Sequence, residues 1–334
     1  MDIVLDRKEL IKYPFLKESQ QLARQHVESL EGFLSSGPGV IALERARDRV
    51  IAALAHRREF PEGNAQNLKP EFEIASYALA RVLVSCSGNR SLIDRLARYE
   101  AERTSFYLET EDPEIQRFVA WSIGIDIRAT SMPVTNYIEL VPHMRDPRWR
   151  LVNRDLQRGM VHLEPGEIDE LVRERIRVIL IDQMPLRVPT GICERLEPIT
   201  EEISAAYQQQ ILEQFGEIQE EAFPPCISAL IQAITTGANI PHMGRFAMTS
   251  FLHTIGMSGT GIVEIFAQAP DFDLEKTMYQ VEHISGRGGT EYTPPSCPTM
   301  RTFGLCVNSN KDCERVNHPL SYYRLRKARK KKQD

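Results

Sequence analysis

The sequence has no apolar run approaching the ~20 residues that span a bilayer. It has no glycine-rich loop of G-x-x-x-x-G-K-[ST] or G-x-G-x-x-G form, which removes the common phosphate-binding signatures. The first ten residues carry acids and bases and no apolar h-region, so no secretory leader is expected and the protein is expected to stay in the cytoplasm. Repeats and low-complexity blocks are missing, apart from a basic tail. Nor is the chain basic as a whole: its net charge is −5. Residues 222–334 hold 13 Lys and Arg against 9 Asp and Glu, but seven of those 13 lie between Arg324 and Lys332. Bulk charge alone therefore does not point to a nucleic-acid partner. Cysteines number six in 334 residues, too few for a disulfide scaffold; in a reducing compartment a cysteine cluster points to metal or redox chemistry.

What is present is helical periodicity. A chain of this length predicts two domains. Leu43, Ala46, Val50, Ala53 and Leu54 share one helix face, as do Ala75, Leu79, Val82 and Leu83, and Ile168, Leu171, Val172, Ile176 and Ile179. The segment Pro133–Pro142, with Val134, Tyr137, Ile138, Leu140 and Val141 between prolines, predicts a short strand. Leu151–Val152 and Met160–Leu163 predict two more. A polar helix is expected over Thr200–Gln219, and Pro224-Pro225 after it stops helical structure. The boundary is placed there: residues 1–215 form a helical domain with a few short strands, residues 222–323 a second domain, and 324–334 the basic tail. In the second domain four helices are expected, at Cys226–Thr236, His242–Ile255, Thr260–Ala267 and Leu274–Ile284, the last closed by Gly286. The chain then turns irregular and rich in Gly, Pro, Ser and Asn, and needs something to order it. The fold class is mainly α.

Cys226, Cys297, Cys306 and Cys313 are separated by 70, 8 and 6 residues, the last three inside that irregular stretch. Zinc ribbons build each half-site from a tight C-x₂₋₄-C knuckle, and none exists here. Iron–sulfur clusters also take four thiolates and, being larger than one ion, accept them from separate segments. Cys226 precedes a helix, whose free N–H groups favour a thiolate. The spacing favours a metal centre over four unrelated buried thiols and leans towards a cluster, with zinc still open. Cys86, in an apolar run, and Cys193, in a loop after Pro189, read as structural.

The ordered motifs Phe223-Pro224-Pro225-Cys226, Asn239-Ile240-Pro241-His242-Met243-Gly244-Arg245-Phe246, Phe251-Leu252-His253-Thr254-Ile255-Gly256-Met257, Tyr279-Gln280-Val281-Glu282-His283-Ile284-Ser285-Gly286, Tyr292-Thr293-Pro294-Pro295-Ser296-Cys297 and Gly304-Leu305-Cys306, then Cys313 and His318-Pro319-Leu320, resemble the iron–sulfur domain of the archaeal-type DNA primase large subunit. Val141-Pro142-His143, with Trp149-Arg150-Leu151-Val152-Asn153-Arg154 and Gly159-Met160-Val161, looks like the same family's N-terminal domain. The short insert between Cys306 and Cys313 is similar to archaeal members. The resemblance implies one [4Fe-4S] cluster on the four cysteines. It also implies a non-catalytic, regulatory role in RNA primer synthesis for DNA replication. The N-terminal domain would bind a small catalytic primase subunit. The C-terminal domain would meet single-stranded DNA template, RNA primer and nucleoside triphosphates, including the primer 5′-triphosphate. The other readings are a stand-alone iron–sulfur redox protein and a zinc-stabilised interaction module.

Candidate nucleic-acid residues follow from the same motifs. His242 and Arg245 share a helix face near its start, where N–H groups, an arginine fork and an imidazole suit a phosphate. Pro241 stands where some eukaryotic members carry another basic residue, which removes one cation from that group. Gln280 and His283 lie three apart on the next helix beside Tyr279, a segment that the resemblance sets at the primer–template junction. Asp271-Phe272-Asp273 has the form of a magnesium-binding pair, but Pro270 precedes it and a helix follows, so capping is the expected job. The tail is either a phosphate-backbone contact or a disordered solubilising end.

Overall fold

The computed structural model describes residues 5–25, 29–55, 60, 69–144, 146–215, 217–285 and 292–330. The fold is mainly α and forms two compact units, residues 1–88 with 92–203, and 89–91 with 204–334.

The first unit opens with α1 (Arg7–Lys12), α2 (Lys17–Arg24), α3 (Leu30–Leu34), α4 (Gly37–Leu54), α5 (Pro70–Cys86), α6 (Arg90–Leu108) and α7 (Pro113–Ser122). Helices α4 and α5 pack on each other. Ala42 and Ala46, both fully buried, keep the α4 face narrow. At the start of α4 a Cβ on Gly39 would sit 1.8 Å from the Phe33 carbonyl oxygen, so only glycine fits the approach of the preceding turn. Arg49 crosses the α4–α5–α6 core. Its Nε and Nη2 donate to Glu100 at 2.6 and 3.0 Å, and its Nη1 donates to Glu73 at 3.1 Å.

Next come β1 (Ser131–Pro133), α8 (Val134–Leu140), β2 (Leu156–Gln157), β3 (Met160–His162) and α9 (Glu167–Asp182). The strands form one antiparallel sheet in the order β1-β3-β2, with Met132 opposite Val161 and Leu156 also opposite Val161. The strand predicted over Pro133–Pro142 shares only Pro133 with β1; the rest is helix α8 followed by a 3₁₀ turn at Val141–His143. Tyr137 and Leu140, three apart, are its buried residues, a helical spacing that the flanking prolines obscure. Leu151–Asn153 is a 3₁₀ turn rather than a strand, and β3 covers most of Met160–Leu163. Around that turn Trp149 is buried and its carbonyl accepts the Tyr137 hydroxyl at 2.9 Å. Arg154 grips Glu167 with both terminal nitrogens, at 2.7 and 2.5 Å, and stacks over Tyr137 and Trp149. This bracing leaves Val152 85% exposed.

Helix α10 (Thr190–Phe215) starts ten residues before the predicted Thr200 and runs through Pro198. Cys193 is therefore helical, not in a loop, and it is joined by a disulfide to Cys86 at the end of α5.

The second unit holds α11 (Pro225–Thr235), α12 (His242–Thr254), α13 (Gly259–Phe266) and α14 (Leu274–Ile284), close to the predicted bounds. The expected closure of α14 by Gly286 lies outside the described residues. The later chain is less irregular than its composition predicts: it carries α15 (Cys297–Thr302), a 3₁₀ turn at Cys313–Arg315 and α16 (Pro319–Lys330). Most of the basic tail is thus the end of a packed helix, although residues 331–334 lie outside the described set. Tyr323 of α16 is fully buried edge-on to Phe251, and its hydroxyl accepts the Gln219 N–H at 3.0 Å. Lys327 donates to the Phe215 carbonyl at 2.5 Å and to that of Glu217. These contacts engage the tail in folding and remove the disordered-end reading for residues 324–330.

Candidate cluster site and nucleic-acid pocket

Four short pieces of chain present the four free cysteines. Cys226 is the second residue of α11, behind Pro225, whose missing N–H suits a helix start. Cys297 opens α15, capped by Ser296, and its N–H donates to the Asn317 carbonyl at 2.9 Å. Gly304, at φ 68°, ends α15 so that the Leu305 N–H returns to the Met300 carbonyl, and Leu305 buries just before Cys306. Cys313 is held by Asn310, whose backbone and side-chain oxygens both accept its N–H and whose amide donates to Tyr322 at 2.9 Å. Burial works against the neighbouring Asp312 carboxylate, but Arg329 and Arg326 of α16 hold it below the usual range.

All four cysteines line one pocket of about 110 Å³, in which Arg301, Glu314 and Tyr322 also take part. None of them is disulfide-bonded, and each is half-buried. Burial, with Cys297 and Cys306 alongside, pushes the Cys226 thiol up to about 12. Burial and Cys306 also raise Cys297. The thiolate favoured by the helix start is thus outweighed by desolvation and by its own neighbours. Among the described residues no three His, Cys, Asp or Glu side chains are arranged to hold a metal ion. A single zinc needs its sulfurs about 2.3 Å from one point, whereas a multi-iron cluster spreads its ligands around a larger body. Four half-buried thiols around one small pocket, with no disulfide among them, fit a cluster's donor set.

The second site lies between α12 and α14. His242, Arg245, Tyr279, Gln280 and His283 line a pocket of about 420 Å³, together with Phe246, Phe266, Thr277 and Tyr292. One end is a column of rings. His283 stacks on Tyr292 and stands 6.1 Å from Tyr279, and Phe246 meets Tyr292 edge-on at 5.5 Å. Tyr279 is 68% exposed, so the column opens to solvent. At the charged end the Arg245 guanidinium lies over Phe266. Its Nη2 donates to both Asp271 oxygens at 2.8 Å and to Asn239 at 2.9 Å. The Arg245 contact holds the Asp271 carboxyl below its ordinary value.

The two aspartates have separate jobs. Asp273 caps α14, accepting the Lys276 N–H at 3.0 Å, and only Asp271 departs from the capping expectation. Asp271 thus faces the Arg245 guanidinium and Asp273 the start of α14, though both line one recess. Tyr292, Phe246 and Asn239 stand inside the sequence motifs, but their part at the pocket and the Arg245–Asp271 bond are not readable there, because only the tertiary fold brings these segments together.

Residues 216–332 match the family described as the C-terminal domain of the large subunit of eukaryotic and archaeal DNA primase. The chain is similar along nearly its whole length to proteins named DNA primase large subunit PriL. That of Methanococcoides burtonii is 37% identical, covering 96% of this chain and 93% of the relative. That of Methanosarcina mazei is 35% identical over 96% and 88%, and that of Halobacterium salinarum 34% over 94% and 92%. The chain belongs to the DNA primase large-subunit family.

Proposed function

We propose that this chain is the regulatory, non-catalytic subunit of a DNA primase, acting in RNA primer synthesis for DNA replication. Residues 1–215 hold the small catalytic subunit, and residues 222–323 meet the template, the initiating nucleotide and the primer 5′-triphosphate. Membership of the large-subunit family supports the role. The exposed Val152, and Leu156 at 48% exposure, are apolar side chains that a subunit interface would cover.

The observation that carries the nucleic-acid reading is the convergence of His242, Arg245, Tyr279, Gln280 and His283 on one pocket. A guanidinium at one end and a ring column at the other suit phosphate and nucleobase respectively. Cys226, Cys297, Cys306 and Cys313 hold a [4Fe-4S] cluster, which when bound ties α11, α15 and the Cys313 turn together and offsets the charge of crowded thiolates. Against the zinc-module reading stands the sequence spacing, which lacks the tight C-x₂₋₄-C knuckle of zinc ribbons, and against the redox-protein reading stands membership of the large-subunit family.

The test is binding and synthesis together. The pure chain should make no primer from template, nucleotides and magnesium, and should form a primer-making complex with the small subunit. Arg245→Ala should weaken binding of a 5′-triphosphate primer–template about tenfold, since a charge-assisted hydrogen bond contributes about 1.5–3 kcal/mol. A 5′-hydroxyl duplex should lose less. Primer synthesis by the chain alone, or equal losses for both ends, would overturn the respective half of the proposal.

A further inference from the structure

We infer that Asp271 is a built-in competitor for Arg245, holding the Nη2 end of the guanidinium against an incoming phosphate chain. This rests on the phosphate reading of the pocket and adds how the site is regulated. The same Arg245 nitrogen serves both Asp271 oxygens and Asn239, so its donors are spent within the protein. The remaining terminal nitrogen has no hydrogen-bond partner among the described residues.

The two partners differ in burial. The Arg245 side chain is 16% exposed and Asp271 47% exposed. The arginine is seated in the pocket wall, while the carboxylate stands in the loop before α14, able to yield to a competitor. His242, Lys276, Thr277 and Gln280 line the same recess of about 340 Å³ as the pair. Lys276 is itself engaged by Asp273 at 3.0 Å. With both cations paired to carboxylates, the resting pocket has little net attraction for a stray anion.

An exchange therefore governs binding. A phosphate oxygen that takes Arg245 leaves Asp271 unpaired beside the new anion, and part of the gain is lost at once. On dissociation Asp271 reclaims the arginine, which speeds release of the 5′ end. The device costs affinity and makes the contact reversible.

Asp271→Asn tests this, because the amide keeps the shape and an acceptor oxygen but removes the competing charge. Binding of an RNA primer bearing a 5′-triphosphate on a DNA template is measured with the full chain, by anisotropy and stopped-flow dissociation. The variant should bind about tenfold more tightly, a change equivalent to about 1.4 kcal/mol, mainly through slower dissociation. In an Arg245→Ala background the same substitution should bring little gain. Weaker binding by Asp271→Asn would make Asp271 a positioning residue and overturn the inference. So would an unchanged affinity, or an equal gain in both backgrounds, which marks simple charge repulsion. If the wild type does not distinguish triphosphate from hydroxyl ends and Arg245→Ala has no effect, the phosphate reading itself fails. A normal wild type and a weakened Arg245→Ala with a silent Asp271→Asn removes only the competitor.

Discussion

The His283 imidazole is stacked on the Tyr292 ring, with centroids 5.7 Å apart and planes 24° from parallel. The two residues are nine positions apart and belong to different segments, α14 and the stretch leading to Cys297. Their contact extends the surface that Tyr279 opens to solvent.

That surface gives the first prediction. Stacking of a base on an exposed aromatic ring contributes about 1–3 kcal/mol. Tyr279→Ala should therefore lower primer–template affinity about fivefold or more, whether the primer carries a 5′-triphosphate or a hydroxyl. Because Tyr279 is 68% exposed, the melting temperature should not change. Unchanged affinity would remove the ring column from the binding site.

The buried ion network of the first unit predicts a pH dependence. Burial alone would raise the Glu73 carboxyl, but Arg49, Arg103 and Arg45 outweigh it and hold its pKa below the ordinary value. A depressed folded pKa contributes stability that is complete above the unfolded value of about 4.3. That contribution is lost as pH falls through the folded value. Thermal stability of the first unit should therefore fall as pH drops below about 4, and Glu73→Gln should flatten that fall. Arg49→Ala, which takes from buried Glu100 both of its arginine hydrogen bonds while Glu73 keeps Arg45, should cost about 3–5 kcal/mol at neutral pH. Denaturant melts across pH measure both effects.

The disulfide predicts a covalent contribution to the same unit. Cys86 and Cys193 are 107 residues apart in sequence, with Cα atoms 5.3 Å apart. Removing a bridge that closes so long a loop costs on the order of 4 kcal/mol in the chain-entropy account. Cys193→Ser should melt well below the oxidised wild type. Equal melting temperatures would show that the bridge contributes nothing in solution.

How much of this is legible in the sequence depends on where each contact is made. Helix α14 is readable at its observed bounds because Thr277, Val281 and Ile284 bury one local face, a pattern contained in the segment itself. The Pro133–Pro142 stretch misleads because β-branched residues and flanking prolines imitate a strand, whereas the Tyr137–Leu140 spacing belongs to a helix. The start of α10 is hidden because Pro198 sits inside it, where proline is ordinarily unfavourable. With that helix placed too late, Cys193 cannot be matched to Cys86. That Cys226, Cys297, Cys306 and Cys313 line one pocket agrees with their grouping by spacing and resemblance. Arg245 is legible as a cation, but its pairing with Asp271 joins residues 26 positions apart and depends on how α12 and the loop before α14 meet. The basic tail looks like a solvated end because Tyr322 and Tyr323, which anchor it, lie just ahead of the charge run.

The most direct test of the account is the metal content of the chain purified without oxygen. A brown protein carrying about four iron and four sulfide per chain is predicted, with the chromophore lost in Cys226→Ser and in Cys313→Ser and retained in Cys193→Ser. A colourless protein holding one zinc, or four freely titrating thiols with no metal, would contradict it.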